Sequence, residues 1–185
     1  MIAVNNECKE LTAVLYQMNS VNESSEKEVV ISCEQAVHNS LSEPFTYTLS
    51  EEKNAVCQLA DRVETYLYEP GAALLKAGPY RLLSQRYGVK KLHPNSHLYT
   101  SSVQVDFPGR CFQVTGISGF GKKEVKELLG GLEKANLTVR NFPASVADLR
   151  KKLKLKEGGD VYLFATTLQN GEKVLIKCLK PALLS

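Results

Sequence analysis

The sharpest chemical spacing in the chain is Gly116-Ile-Ser-Gly-Phe-Gly121-Lys122-Lys123, which follows a strand-like run and opens a helical one. The pattern G-x-x-x-x-G-K is that of a phosphate-cradling loop, in which backbone amides and the lysine hold a nucleotide and a following Ser or Thr holds magnesium. Here that last position is Lys123, which cannot coordinate a cation, and Val161 to Thr167 contains no acidic residue to act as a second magnesium anchor. A nucleotide-hydrolysing site is therefore not expected. Two milder readings remain: amides at a helix start that hold one backbone phosphate beside Lys122 and Lys123, or a plain glycine-permitted turn.

The histidines offer less. His93 and His97 are four apart, but Pro94 between them argues against a helix, and no Cys or carboxylate lies within three residues to complete a metal site. His38 is isolated, no nucleophile motif surrounds any of the three, and no G-x-G-x-x-G loop follows a strand. No catalytic residue and no metal ligand is assigned, and the chain by itself is not expected to be an enzyme.

Arg150, Lys151, Lys152, Lys154 and Lys156 crowd a turn and a half of a predicted helix, and Arg140 and Asn141 stand just before it. Val146, Leu149 and Leu153, at steps of three and four, point the other way. One stripe thus faces a core and the rest faces something anionic. RNA fits, because cationic side chains grip phosphates without reading sequence; a solvated lysine face accounts for the same charges equally well. The formal net charge is only +3, yet residues 1–64 carry −7 while residues 65–135 and 136–185 carry +5 each. That asymmetry suggests an anionic partner for the later part.

The 185 residues are 43% hydrophobic, with no transmembrane run and no visible signal peptide, which points to a cytoplasmic protein with no membrane partner. Five cysteines at 8, 33, 57, 111 and 178, with no CxxC pair, read as reduced and mostly buried.

The elements that must position these groups follow from spacing. A strand at Ile2 to Val4 leads to a helix from Glu7 to about Met18, with Cys8, Leu11, Val14, Leu15 and Met18 at helical steps. Strands are expected at Val29 to Cys33 and Phe45 to Leu49, a helix at Glu51 to Ala60, and a strand at Thr65 to Tyr68. Helices at Ala72 to Ala77 and Tyr80 to Tyr87 are separated by Gly78-Pro79, Lys90-Lys91 is a loop, and His97 to Ser101 is a strand. From Arg110 the pattern is strand (to Thr115), glycine loop, helix (Lys122 to Ala135), strand (Leu137 to Asn141), helix (Ser145 to Leu155) and a hairpin over Val161 to Leu168 and Lys173 to Leu179. Ser145 caps that second helix, Gly158 ends it, and Asn170-Gly171 turns the hairpin. This is a βαβαββ unit, compact enough to be an independent α/β domain.

These residues also carry a resemblance. RNFPASVADLRKKLKLKEGGDVYLFATT (140–167) resembles the THUMP-like C-terminal domain of certain bacterial class I S-adenosylmethionine-dependent methyltransferases. YLYEPGAALLKAG (66–78) and LHPNSHLYTSS (92–102) resemble the small ferredoxin-like module that precedes it, and AVNNECKEL (3–11) is similar to the strand and helix that close the methyltransferase domain. The resemblance implies an α+β chain in three parts: a remnant of a Rossmann-like methyltransferase sheet (1–60), a ferredoxin-like module (61–107) and a βαβαββ THUMP-like domain (108–185). It implies a substrate-recognition portion that presents RNA, with Arg140, Asn141, Arg150, Lys151, Lys154, Lys156, Lys122 and Lys123 as the anion-contacting surface. The methyl donor, S-adenosylmethionine, belongs to the parent protein and no cofactor to this chain, whose opening within a strand reads as the end of something longer. The alternative is a structural or oligomerisation module that touches no nucleic acid.

Overall fold

The computed structural model describes residues 2–4, 7–10, 28–37, 40–41 and 43–182. A small sheet comes first. Strand β1 (Ile2–Val4) pairs antiparallel with β2 (Glu7–Glu10) and parallel with β3 (Val30–Val37), which in turn pairs antiparallel with β4 (Ser40–Leu41) and β5 (Phe45–Thr48). The helix expected from Glu7 is absent over its first residues, because Glu7 and Cys8 are held in register with Val4 and Ala3. The rest of that expected helix lies outside the described residues.

Helix α1 (Leu49–Asn54) starts earlier and ends sooner than its spacing suggests. The Thr48 hydroxyl accepts from the Glu51 amide at 3.2 Å and the Glu51 carboxylate accepts from the Thr48 amide at 2.7 Å, a reciprocal cap that fixes the start. Beyond Asn54 the amides of Val56, Gln58 and Ala60 donate instead to Gln85 Oε1, Ser84 Oγ and the Lys91 carbonyl, which peels the chain out of a helical path.

The larger sheet has seven strands. They are β6 (Tyr66–Pro70), β7 (Lys90–Lys91), β8 (Tyr99–Ser101), β9 (Gly109–Ser118), β10 (Asn136–Arg140), β11 (Tyr162–Thr167) and β12 (Lys173–Leu179), in spatial order β10-β11-β12-β9-β6-β8-β7. Between them lie α2 (Ala72–Ala77), α3 (Tyr80–Tyr87), α4 (Lys122–Leu129) and α5 (Val146–Leu153). Helices α2 and α3 occupy their predicted spans, and the βαβαββ order of the last part is as expected. Lys90-Lys91 is a short strand rather than a loop, since its backbone pairs with Tyr99 and Thr100. The last unit is not separate from what precedes it. Strand β9 pairs antiparallel with β6 on one side and β12 on the other, so one sheet runs through both parts.

Helix ends differ from the reading in ways the backbone explains. Helix α4 stops at Leu129 because Gly130 and Gly131 take φ of +56° and +83°. Helix α5 is capped by Ser145, whose hydroxyl accepts from the Asp148 amide at 3.1 Å, but it ends at Lys154, itself left-handed at φ +56°, and not at Gly158. The hairpin turn uses Gly171 at φ +86° while Asn170 keeps negative φ, so the connection is a three-residue loop closed by Leu168 N–H to Glu172 O rather than a two-residue turn.

Alternation along β11 and β12 divides the core. Leu163, Ala165 and Leu175 face a cluster with Leu149 and Leu153 of α5 and Val125, Leu128 and Leu129 of α4, so both helices cover one face. Phe164, Val174, Ile176 and Cys178 face the other side, against Leu67, Leu92, Leu98 and Phe112. On the β6 side, Tyr68 and Tyr99 join α2, α3 and the small sheet's Cys33, Phe45 and Tyr47 in a third cluster. Cys33, Cys57, Cys111 and Cys178 are free, and the first and last are buried. No described helix is long and apolar enough to cross a membrane.

One contact fixes the curvature. Glu69 on β6 is directly opposite Arg110 on β9, and its carboxylate accepts from Arg110 Nε at 3.0 Å and pairs with Arg110 Nη2. Its other oxygen lies 2.7 Å from Arg140 Nη2. Strands β6 and β10 are four steps apart in the sheet order, about 19 Å in a flat sheet at ~4.8 Å per step. A glutamate and an arginine cannot bridge that gap, so the sheet curls until its β10 edge approaches β6. Replacing Glu69, only 1% exposed, with Gln leaves two guanidinium groups without their counter-ion. The expected loss in urea unfolding is about 3 kcal/mol. Thr166, opposite Arg140 and buried with no hydrogen-bond partner for its hydroxyl among the described residues, provides the contrast: Thr166→Val is expected to change stability by less than about 1 kcal/mol.

Candidate nucleic-acid interface

Helix α5 buries Leu149 and Leu153 and turns its remaining faces to solvent. Val146, expected in the core stripe, is 37% exposed in the first turn. Lys151, Lys152, Lys154 and Lys156 are all exposed. Arg150 is different: its guanidinium is 21% exposed, 3.8 Å from Glu157, and donates to the Ala135 carbonyl at 3.4 Å, so it braces the segment before β10.

The glycine-rich stretch does not form a phosphate cradle. Gly116, Ile117 and Ser118 belong to β9 and stand opposite Lys177, Ile176 and Leu175. The Gly121 amide donates to Glu124 Oε2 at 3.2 Å, and a Cβ added at Gly119 or Gly121 would meet that same oxygen at 2.7 or 2.9 Å. The chain's own carboxylate occupies the concavity at the start of α4, where the sequence suggested a single phosphate or a plain glycine turn. Lys122 and Lys123 remain exposed; Lys123 has only a 4.0 Å exposed contact with Glu127, which counts for little.

A contact that spacing alone did not suggest joins the two basic segments. Lys152 Nζ lies 5.8 Å above the ring of Phe120, and Phe120 and Phe142 pack with centroids 4.7 Å apart. Both rings are half-buried. Lys122 and Lys123 open α4 directly after the Phe120 loop, and Lys152 of α5 approaches that ring; positive charge beside ring faces is the chemistry that grips nucleic acid strands.

Residues 66–108 match the ferredoxin-like domain family and residues 109–180 match the THUMP domain-like family. The chain is a ferredoxin-like domain joined to a THUMP-like domain. No curated protein matches its sequence. Among solved structures it is similar to a crystal structure from Porphyromonas gingivalis W83 described as a "putative methyltransferase", with 37% identity, a TM-score of 0.87 and 98% of this chain covered. The chain spans 45% of that protein's length, which is consistent with a methyltransferase C-terminal region.

Arg140 and Asn141, expected on the anion-binding surface, are instead used where the ferredoxin-like and THUMP-like domains meet. Arg140 is the partner of Glu69. Asn141, left-handed at φ +49°, places its amide 3.0 Å from His93 Nδ1 and accepts at its carbonyl from Thr167 Oγ1 at 2.7 Å. The Asn95 amide also donates to His93 Nδ1 at 2.9 Å, which leaves the ring proton on Nε2. His97, with φ +52°, stacks on Tyr80 at 3.7 Å between centroids. His93 thus joins the two domains through Asn141, His97 packs on Tyr80 within the ferredoxin-like domain, and among the described residues no group of three or more His, Cys, Asp or Glu is gathered for a metal.

Burial, with Lys91 and Arg140 nearby, pushes the His97 ring down to about 4. Unfolded His97 takes up a proton near its ordinary value of about 6.5, whereas the folded ring resists until about 4. Stability from this group is therefore complete above pH 6.5 and lost as pH falls toward 4, by up to about 2 kcal/mol after allowance for partial exposure. Urea midpoints measured between pH 7 and 4.5 are expected to fall less for His97→Phe, which keeps the stack on Tyr80 and cannot titrate.

Proposed function

We propose that this chain is the RNA-recognition portion of an S-adenosylmethionine-dependent methyltransferase and that methyl transfer is carried out by parts of a longer protein outside it. The reading is supported by the THUMP-like match and by the likeness to a structure described as a methyltransferase. The observation that carries it is the Lys152–Phe120 contact, which sets a lysine of α5 over a ring that lies two residues before the lysines opening α4. Lys122, Lys123 and Lys152 form the centre of the surface and Lys151, Lys154 and Lys156 extend it along and beyond α5. Phosphate contacts from these side chains supply affinity and position, while the glycine-rich loop, closed by Glu124, supplies no donor site.

The test is RNA titration of the wild-type chain and of a Lys122→Glu, Lys123→Glu, Lys152→Glu variant at several salt concentrations. The variant is expected to bind at least tenfold more weakly at low salt, and its plot of log affinity against log salt to be shallower by about 0.7 to 0.9 per lysine lost. Equal affinity and equal slope would remove RNA from this face. If the wild-type chain binds no RNA and light scattering shows a stable dimer, the protein is an assembly module instead.

A further inference from the structure

Among the described residues two charged side chains are buried, Glu69 and Lys91, and they are treated differently. Glu69 has two guanidinium partners. Lys91, 4% exposed, has no carboxylate within ion-pair distance among the described residues. Its ammonium donates one hydrogen bond, to the Pro94 carbonyl at 2.6 Å, and lies 4.9 Å from the centre of the Tyr80 ring. An ammonium offers three donors, and a buried cation with neither an ionic partner nor a full set of acceptors is costly to keep.

Pro94 and Tyr80, the two groups that contact this ammonium, both line a cavity of about 540 Å³, as does Lys91 itself. The ammonium therefore sits at the cavity wall. Arg81 lines the cavity too, and Ala55, Val56 and Leu59 provide an apolar side. The one carboxylate in the lining, Glu52, is already engaged: its two oxygens accept from the backbone amides of Arg81 and Leu82 at 2.9 and 3.0 Å. The lining thus presents Lys91 and Arg81, whose Nη1 also donates to the Lys53 carbonyl at 3.3 Å, against one carboxylate whose oxygens are held by α3, next to a hydrophobic wall.

We infer that this cavity is a binding site for a small organic anion, with a phosphate or carboxylate on Lys91 and Arg81 and an apolar body against Ala55, Val56 and Leu59. Burial lowers the proton affinity of Lys91, and a bound anion opposes that by favouring the charged form. The site lies on the ferredoxin-like side and does not depend on the lysine face around Phe120.

The experiment is thermal unfolding and calorimetric titration of the whole chain with phenyl phosphate, benzyl alcohol as the neutral analogue and inorganic phosphate as the bare anion, on wild type and Lys91→Met. Phenyl phosphate is expected to raise the melting temperature and to bind at least tenfold more tightly than either control, and Lys91→Met to lose that preference. Lys91→Met is expected to fold with equal or higher stability without ligand, because methionine keeps the buried stem and removes the unpaired charge; a purely structural lysine would instead lose stability with its Pro94 hydrogen bond. Benzyl alcohol binding as well as phenyl phosphate, unchanged phenyl phosphate binding by Lys91→Met, or a clear loss of stability in that variant would each overturn the site. Given binding, competition between phenyl phosphate and RNA assigns the anion to an RNA phosphate, and simultaneous binding assigns it to a free small molecule.

Discussion

The curvature of the larger sheet depends on a carboxylate that has given up its water. Glu69 is held between guanidinium groups from the neighbouring strand and from a strand four places away, and that second pairing is possible only if the sheet rolls up around the cluster of Leu67, Phe112, Phe164 and Ile176. Once rolled, it brings the loop carrying His93 and His97 against the end of β10, so Asn141 can reach His93. It also leaves Lys91 and Tyr80 enclosed beside the joint. Several polar contacts between the two domains therefore follow from one ionic closure.

Positive charge consequently falls into two groups with different chemistry. Arg110, Arg140 and Arg150 are directed at carboxylates or carbonyls and brace the fold. Lys122, Lys123, Lys151, Lys152, Lys154 and Lys156 remain exposed and hydrated. The division matches the two side chains: a planar guanidinium forks onto a carboxylate in a semi-buried joint, whereas a strongly hydrated ammonium on a flexible stem suits phosphates that are gripped and released in water. Lys91 departs from this pattern, a 4% exposed lysine whose ammonium contacts a backbone carbonyl and a ring.

Much of the local structure was legible in the sequence. Gly78-Pro79 separated α2 from α3, Ser145 capped α5, and runs rich in β-branched and aromatic residues marked β11 and β12, because each of these is decided within a few residues of chain. The failures involve longer range. Cys8 lies at helical spacing with Leu11, but pairing with Ala3 places it in a strand. Val125 and Leu132 lie on one apolar stripe, yet Gly130 and Gly131 end the helix between them. The candidate surface was half legible: composition identified the lysines, but Arg140 and Asn141 look equally basic or polar in sequence, and only the curl of the sheet shows that they also contact Glu69 and His93. Phe120 and Phe142 carried no signal, since rings 22 positions apart in sequence are brought together by packing alone.

An ionic closure raises the question of why apolar side chains do not hold the joint, since well-packed hydrophobic groups often replace a buried ion pair at no loss of stability. The exposures suggest an answer. Glu69 is 1% exposed, while the side chains of Arg110 and Arg140 are 41% and 35% exposed. Most of the desolvation thus falls on one carboxylate, and both cations keep part of their hydration. An apolar contact at the same place would be satisfied by many relative positions of β6 and β10. A carboxylate with one oxygen on each guanidinium accepts few, so the closure fixes how far the sheet curls as well as that it curls. That angle determines whether the Asn141 amide meets His93 at 3.0 Å. In this joint directional ionic contacts set the geometry that the surrounding apolar clusters then fill.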